Sequence, residues 1–316
     1  MHPWVSRCRP SARPLVFAHR GGAALAPENT LAAFEQAAAL AADGFELDVR
    51  LSRDGDVVVI HDADVARTTS GAGPVASFTA EDLLRLDAGH HFIRYDTPAD
   101  TAAAEHPFRG RGVGVPRLRD VLQRFPDVPL IVELKGRDPL LARRAVAIAR
   151  EERALDRLCF GGFSSATLRA ARACGADVCT SASREETRWA LYRSWVHWPS
   201  PPARYQAFQV PELAGTTRVV SPRFLHAGHD RDLLIQVWTV NDVEAMTRLV
   251  AWGVDGLITD RPDLAVSLPL PRLRAEGEGE TRRRDALPSR EAYQGRDASA
   301  PPTPDRGAPR QPTAAG

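Results

Sequence analysis

Strand-like runs alternate with helical stretches along most of this chain, and this alternation restricts its fold more than any other feature. Eight runs rich in β-branched and aromatic residues occur between Leu15 and Leu264, and stretches with helical periodicity fill most of the gaps. Eight such repeats over about 250 residues predict an α/β protein, a (β/α)8 TIM barrel. A doubly wound open sheet is the alternative, but the sequence has neither the G-x-G-x-x-G nor the P-loop motif that would favour it. The strand candidates are residues 15–19, 45–49, 130–135, 158–163, 177–182, 206–210, 234–239 and 256–260.

Three of the helical stretches are well defined in the sequence. Arg137 to Arg153 and Asn241 to Trp252 carry apolar residues at helical spacing. Thr30 to Ala42 is rich in alanine, and we expect one of its faces to pack on the barrel. That face is predicted to carry Leu31, Phe34, Ala38 and Ala41.

Two regions interrupt the alternation and define the domain organisation. Residues 63–115, after the second strand, are too long for an ordinary connection between a strand and a helix, so we expect a small inserted lobe over the barrel mouth. Beyond about Leu270 the chain is rich in Arg, Glu, Pro and Ala, which predicts a disordered tail. The predicted organisation is a basic N-terminal arm at 1–14, a barrel domain at 15–268 that includes the lobe, and a tail at 269–316.

Charge and composition argue against several classes of protein. The net charge is +1, so bulk attraction to nucleic acid or to an anionic membrane is not expected. No apolar run approaches the roughly 18 residues of a membrane span, and the N-terminal segment lacks the apolar region of a secretion signal. The four cysteines form no C-x-x-C pair, which favours buried, reduced thiols over disulfides or zinc. We therefore expect a cytoplasmic protein without stable membrane insertion or nucleic-acid binding; the sequence leaves its oligomeric state open.

Two strand candidates carry polar residues on one face. Glu46 and Asp48 lie two residues apart in F-E-L-D-V, and Glu133 and Lys135 repeat the spacing in V-E-L-K. If these side chains face the barrel interior, three carboxylates and an ammonium group converge there. A divalent cation would relieve the repulsion, and oxygen ligands favour Mg2+ or Ca2+ over zinc. The alternative is that Glu46 and Asp48 lie on an exposed edge.

Basic residues with different chemistry accompany these carboxylates. Lys135 is the single lysine of the chain, which indicates a site that needs a compact, rotatable ammonium group. His19 and His61 each follow a strand-like run, at the position where barrel active sites form. Imidazole titrates near neutrality, so one histidine can remove a proton while the other donates one. Arg20, followed by two glycines, can bind a phosphate through two hydrogen bonds.

Other residues of the same motifs have two interpretations each. Trp238 either lines the pocket or fills the barrel core. Glu28 and Asn29, in P-E-N-T, either contact the substrate or belong to the entry of the next helix, whose cap is Asn29 or Thr30. Asp260 ends the last strand candidate, where capping the barrel is its simplest role.

Taken in order, these motifs resemble the glycerophosphodiester phosphodiesterase family of bacterial type over residues 15–265. The motifs are H-R-G, P-E-N-T, E-x-D-V, D-G, H-D with R-T-T, E-L-K, V-W-T-V-N and G-V-D-G-L-I-T-D-R-P. The resemblance implies a TIM barrel with a small inserted lobe. It also implies hydrolysis of glycerophosphodiesters to glycerol 3-phosphate and an alcohol, with one divalent cation. The sequence departs from the family pattern at His90-His91 and at Arg119, outside the predicted chemistry.

The resemblance also implies a role for each matching position, and we expect His61 to be the acid. The nucleophile is either water or the glycerol hydroxyl next to the ester. The head group is choline, ethanolamine, glycerol or inositol. The implied residues are the metal ligands Glu46, Asp48 and Glu133, the acid–base pair His19 and His61, the phosphate contacts Arg20 and Lys135, and the pocket wall Trp238.

Two other functions fit the same residues. A lysophospholipase D-like enzyme would use the site on single-chain lipids. An exposed apolar rim on the lobe would favour it, and Phe92, Ile93, Tyr95 and Phe108 could form such a rim. A non-catalytic phosphodiester-binding barrel would be expected to lack a histidine or a carboxylate, and the set is complete here. The main expectation is an enzyme of lipid and glycerol metabolism that acts on a small-molecule glycerophosphodiester.

Overall fold

The apolar runs of the sequence become strands in the computed structural model, which describes residues 2–9, 13–94, 106–196, 198 and 201–269. Short 3-10 turns lie at Val75–Ser77 and Leu155–Arg157. Within the described ranges the strands are β1 (Leu15–His19), β2 (Gly44–Leu51), β3 (Val57–Val59), β4 (Leu130–Leu134), β5 (Leu158–Gly161), β6 (Ala207–Pro211), β7 (Leu213–Ala214), β8 (Thr217–Arg218), β9 (Leu234–Trp238) and β10 (Gly256–Thr259). The helices are α1 (Pro3–Cys8), α2 (Leu31–Ala39), α3 (Ala80–Arg85), α4 (Leu118–Arg124), α5 (Pro139–Glu151), α6 (Ser165–Arg172), α7 (Arg184–Trp195), α8 (Pro222–His229), α9 (Val243–Trp252) and α10 (Pro262–Val266).

Seven strands form a parallel barrel in the order β5-β4-β2-β1-β10-β9-β6. The ring closes through two single bridges, because Thr180 pairs with Phe160 of β5 and Ser181 pairs with Ala207 of β6. The predicted TIM barrel is therefore confirmed. The candidate at 177–182 takes its place in the ring through these bridges instead of forming a regular strand.

β3 is antiparallel to β2 and brings the chain back to the barrel mouth. The pairing of β2 with β4 ends at Val49, and β2 itself continues to Leu51. The chain then turns at Gly55, which has φ +78°. β3 then returns along β2, with Val59 opposite Val49, and the N–H of Ile60 donates to the carbonyl of Asp48 at 2.9 Å. His61 therefore reaches the mouth through a hairpin, whereas the sequence had indicated only the end of a strand.

Helices cover the outside of the barrel in two apolar clusters. One cluster packs α2, α4, α5 and α6 against β1 to β5, and the other packs α7 to α10 against β6, β9 and β10. The predicted inner face of α2 is wrong in part, because Ala38 and Ala41 are exposed while Ala33, Phe34 and Ala37 are buried. The alanine-rich sequence gives little contrast between its faces, so periodicity alone could not locate the buried one.

The described part of the predicted lobe, residues 63–94 and 106–115, packs around a small apolar cluster of its own. α3 begins at a capping box, in which the side chains of Thr79 and Asp82 each accept a hydrogen bond from the backbone N–H of the other. Residues 95–105, which include Tyr95, lie outside the described residues. The cluster comprises Val58, Ile60, Val65, Val75, Ala80, Leu83, Ala88 and Val115.

The amino ends of the strands are covered by α1, within the segment predicted as a basic arm. Trp4 and Cys8 are fully buried and pack with Cys159 and Cys179 of the barrel. Three of the four unpaired cysteines are buried, and Cys174 is half-buried. Among the described residues, no helix is both long and apolar enough to cross a membrane. Residues 270–316, nearly all of the predicted tail, lie outside the described part of the chain.

Candidate active site

Strand register brings the predicted polar residues together at the carboxyl ends of three adjacent strands. His19 of β1 is opposite Glu46 of β2, and Asp48 of β2 is opposite Glu133 of β4. Glu46 is 5% exposed and Asp48 is fully buried, which excludes the alternative that they lie on an exposed edge. Because side chains alternate along a strand, both carboxylates of β2 face the barrel interior.

The three carboxylates form one cluster that fits a divalent cation. One oxygen from each of Glu46, Asp48 and Glu133 lies within 4.8 Å of the other two. Burial, and then the charge of Asp48, raises the pKa of Glu46 to about 8. A carboxylate held this close to its neighbours needs a proton or a cation at neutral pH, and a set of oxygen donors suits a hard cation.

Two cations of the protein already compensate Asp48. Lys135 Nζ lies 2.9 Å from Asp48 Oδ1 and 2.9 Å from Glu133 Oε1, and Arg20 Nε lies 3.1 Å from Asp48 Oδ2. Burial alone would raise the pKa of Asp48, but the Lys135 ammonium and the Arg20 guanidinium hold it below its ordinary value. Burial lowers the pKa of Lys135, but the charges of Asp48 and Glu133 outweigh burial and raise it above its ordinary value. The cluster is therefore a mixed-charge network in which two cationic side chains lie against the carboxylates.

The turn after β1 holds Arg20 in a strained backbone conformation. Arg20 has φ +52°, unusual for a residue with a side chain, and its N–H donates to Glu46 Oε2 at 3.1 Å. Gly21 follows at φ +84°, where a Cβ atom would lie 2.7 Å from the Cβ of Ala33, so only glycine fits. The close packing of α2 therefore restricts the backbone of this turn, while contacts with Glu28 and Asp48 hold the Arg20 guanidinium.

Asn29 and Glu28 support the site and do not cap the helix. The N-cap of α2 is Thr30, whose hydroxyl accepts from Ala33 N at 3.2 Å. Asn29 donates to Asp48 Oδ2 at 2.8 Å and accepts from Asp48 N at 3.1 Å. Glu28 accepts from Arg20 Nη1 at 3.0 Å. Both side chains therefore fix residues that face the carboxylate cluster.

Each histidine of the pair is oriented by an aspartate. His19 Nδ1 lies 2.6 Å from Asp260 Oδ1, and His61 Nδ1 lies 2.6 Å from Asp62 Oδ1. In this geometry Nδ1 carries a proton and Nε2 is the atom that can exchange one. Burial lowers the pKa of His19, but the charges of Glu46 and Asp260 outweigh burial and raise it above its ordinary value.

A cavity of about 730 Å³ connects these groups to an aromatic wall. Trp238 lines it, with its ring 5.9 Å from that of Phe163 in an edge-on arrangement. Helix α7 contributes several lining residues, including Arg188, Tyr192 and Trp195. The cavity lining therefore combines the charged groups with aromatic rings.

The structure brings all eight sequence-predicted site residues to this region, seven of them along the cavity and Asp48 buried behind it. Sequence reasoning missed the aspartate partners of both histidines and the contribution of α7. The adjacent His61-Asp62 pair was a usable signal, whereas Asp260 is 241 positions from His19. Phe92, Ile93 and Phe108 of the lobe do not appear in the described lining of this cavity.

Comparisons with known proteins identify the family and support the fold. The model of the "Glycerophosphoryl diester phosphodiesterase family" matches residues 19–264. A glycerophosphodiester phosphodiesterase of Caldanaerobacter subterraneus subsp. tengcongensis is 32% identical over 262 residues, which cover 81% of this chain and 98% of that protein. The crystal structure of a glycerophosphodiester phosphodiesterase from Agrobacterium tumefaciens matches with a TM-score of 0.63 at 27% identity. The match covers 80% of this chain and 100% of that protein's chain. An Oleispira antarctica phosphodiesterase solved with the product sn-glycerol-3-phosphate shares the fold, with a TM-score of 0.64 at 23% identity over 81% of this chain and 96% of its own.

Proposed function

This chain belongs to the glycerophosphoryl diester phosphodiesterase family, and on that premise we propose that it hydrolyses glycerophosphodiesters to glycerol 3-phosphate and an alcohol. One observation carries the proposal. A cluster of three carboxylates, two basic side chains and two aspartate-bound histidines meet at the carboxyl ends of the barrel strands. This is the face of a TIM barrel where catalytic residues gather.

We assign a divalent cation, Mg2+ or Ca2+, to Glu46, Asp48 and Glu133. The assignment is supported by their oxygen separations within 4.8 Å and by the raised pKa of Glu46. When bound, such a cation supplies positive charge that stabilises the charge developing on the phosphoryl oxygens.

Arg20 and Lys135 are the residues we assign to the phosphate group. Arg20 Nη1 donates to Glu28 and Nε lies 3.1 Å from Asp48 Oδ2, so the guanidinium has further N–H groups for a phosphate oxygen. Lys135 lies between two of the carboxylates, and its short, rotatable ammonium can turn toward a substrate oxygen. Together they would orient the non-bridging oxygens and offset their charge.

Proton transfer is assigned to the two histidines. His19 Nε2 removes a proton from the attacking oxygen, which forms a bond to phosphorus while the bond to the alcohol oxygen breaks. His61 Nε2 donates a proton to that leaving oxygen. The attacking oxygen belongs to water or to the neighbouring glycerol hydroxyl. Phosphorus-31 NMR during turnover distinguishes the two routes, because the hydroxyl route passes through a cyclic phosphate.

The proposed activity depends on metal, and product release tests it. We expect the purified protein to release glycerol 3-phosphate from glycerophosphocholine and glycerophosphoethanolamine with Mg2+ or Ca2+, and to lose activity with EDTA. The reason is that removing the cation leaves the charges of three clustered carboxylates, two of them buried, close to the substrate phosphate. Readdition of each metal separately identifies the preferred ion. Absence of product with every metal and substrate would contradict the assignment and favour a binding protein.

The assignment of His61 as the acid predicts a dependence on the leaving group. We expect His61→Ala to slow glycerophosphocholine hydrolysis about 10³-fold, within the range of acid–base catalysis. The glycerophosphate ester of p-nitrophenol should be affected far less, because its leaving group departs without needing a proton. His19→Ala is the matched comparison and should slow both substrates alike. Equal losses on both substrates for His61→Ala would contradict this division of roles.

A second candidate activity is hydrolysis of lysophospholipids by the same site. It is favoured by the aromatic lining from Tyr192, Trp195 and Trp238, which would suit a single acyl chain. Lysophosphatidylcholine belongs in the same assay, with free choline as the product measured. Choline release from this lipid without release of glycerol 3-phosphate from the water-soluble diesters would make it the main function.

A further inference from the structure

Helix α7 and its C-cap residue Val196 carry apolar side chains where a surface helix would ordinarily carry polar ones. Trp189 is 64% exposed, Tyr192 45%, Trp195 44% and Val196 66%. We call these four residues the α7 stripe. Their spacing places them along one side of the helix, and the rings of Trp189 and Tyr192 are 6.3 Å apart while those of Tyr192 and Trp195 are 5.4 Å apart. A contiguous exposed patch of this kind marks an interaction surface.

Two features of the stripe indicate its partner. Tryptophan and tyrosine are the residues that concentrate at the level of lipid headgroups, because each joins an apolar ring to a polar atom. Residues 187–198 also contain Arg188 and Arg193 and no carboxylate in the sequence, which suits the phosphate groups of lipids. The acidic residues of α7 lie in its first turn, where Glu186 pairs with Arg172 at 2.7 Å.

The stripe is continuous with the cavity of the active site. Tyr192 and Trp195 are exposed and also line that cavity, together with Arg188. Phe163 is 54% exposed and contributes a further ring to the same rim. A surface that covers the stripe would therefore face the entrance of the cavity.

We propose that the α7 stripe docks the protein on the surface of a phospholipid bilayer. The rings enter the headgroup region, the neighbouring arginines contact lipid phosphates, and the cavity opens toward the lipids. This binding goes beyond the proposed activity and is measurable without turnover, so either can fail independently of the other.

Cosedimentation of the full chain with vesicles tests the proposal. The vesicles contain four parts phosphatidylcholine to one part phosphatidylglycerol. We expect the wild-type protein to sediment with them and the double variant Trp189→Ser, Val196→Ser to bind about tenfold more weakly, because two apolar side chains that would enter the bilayer are lost. Neither side chain lines the cavity, so turnover of glycerophosphocholine should stay at the wild-type rate.

Leu140→Ser, on α5, is the control because Leu140 is another exposed apolar side chain, at 45%, outside the stripe, and it should leave vesicle binding unchanged. Equal vesicle binding by the double variant and the wild type would overturn the proposal, as would no binding by the wild type. A concentration-dependent dimer that the double variant abolishes, without vesicle binding by the wild type, would instead assign the stripe to a second copy of this chain.

Discussion

Asp48→Asn is expected to lower kcat/KM by about three orders of magnitude, because several kcal/mol of electrostatic stabilisation of the transition state are lost. Asp48 is fully buried. Its carboxylate belongs to the proposed cation site and also contacts Lys135, Arg20 and Asn29. Asparagine keeps the volume of the side chain but removes its charge. Steady-state kinetics on glycerophosphocholine measures the loss, and titration calorimetry with Mg2+ and Ca2+ should show that the metal binds more weakly. The variant is also expected to lose about 3–5 kcal/mol of stability, since the buried Asp48 no longer pairs as a charge with the partly buried Lys135 and Arg20.

The control for this stability loss is Asp43→Asn. Asp43 accepts hydrogen bonds from Arg13 at 2.9 Å and from Val16 N at 2.7 Å, at the amino ends of the strands. Its replacement also breaks an ion pair, but it should leave kcat/KM and metal affinity unchanged. Similar activity losses in the two variants would show that the Asp48 effect is one of folding. Wild-type metal affinity in Asp48→Asn would contradict its assignment as a ligand.

His19→Gln is expected to reduce kcat by about 10³-fold, within the range of general acid–base catalysis. Glutamine can still donate to Asp260 but cannot accept and release a proton, so the orientation network survives while the chemistry is lost. Single-turnover kinetics measures the chemical step directly. We expect substrate affinity to change little, because phosphate binding is assigned to Arg20 and Lys135.

His229→Gln provides the matched control, since this histidine makes the same kind of contact far from the cavity. His229 Nε2 lies 2.9 Å from Asp255 Oδ2, at the amino ends of β9 and β10. The substitution should leave kcat at the wild-type value. A His19→Gln enzyme with wild-type single-turnover rates would remove His19 from the mechanism.

The barrel was predictable because its strands are apolar runs separated by helices, a pattern that depends on local sequence. The exception is the segment 177–182, where small polar residues replace the apolar run. There the N–H of Thr180 donates to the side chain of Gln206 at 3.0 Å, and the segment pairs with its two neighbours only through single bridges. A hydrogen bond to a side chain 26 positions away leaves no periodic trace in the sequence.

The carboxylates and Lys135 were predictable for a related reason. Alternation along a strand fixes which side chains share a face, and parallel register then brings Glu133 beside Asp48. The partner of His19 depends on closure of the ring between the first and last strands, which only the folded chain provides. The α7 stripe was missed because exposure of an aromatic residue depends on tertiary packing, and the apolar rim had been expected on the lobe.

The position of α1 has a consequence for the order in which the chain folds. Trp4 and Cys8 pack with residues more than a hundred positions later, and His2 bonds to the carbonyl of Asp177, 175 positions away. Loop closure over such distances is slow until the intervening chain has collapsed. During synthesis, α1 leaves the ribosome long before the strands that it covers. Trp4 therefore cannot form its native contacts until most of the barrel has been synthesised.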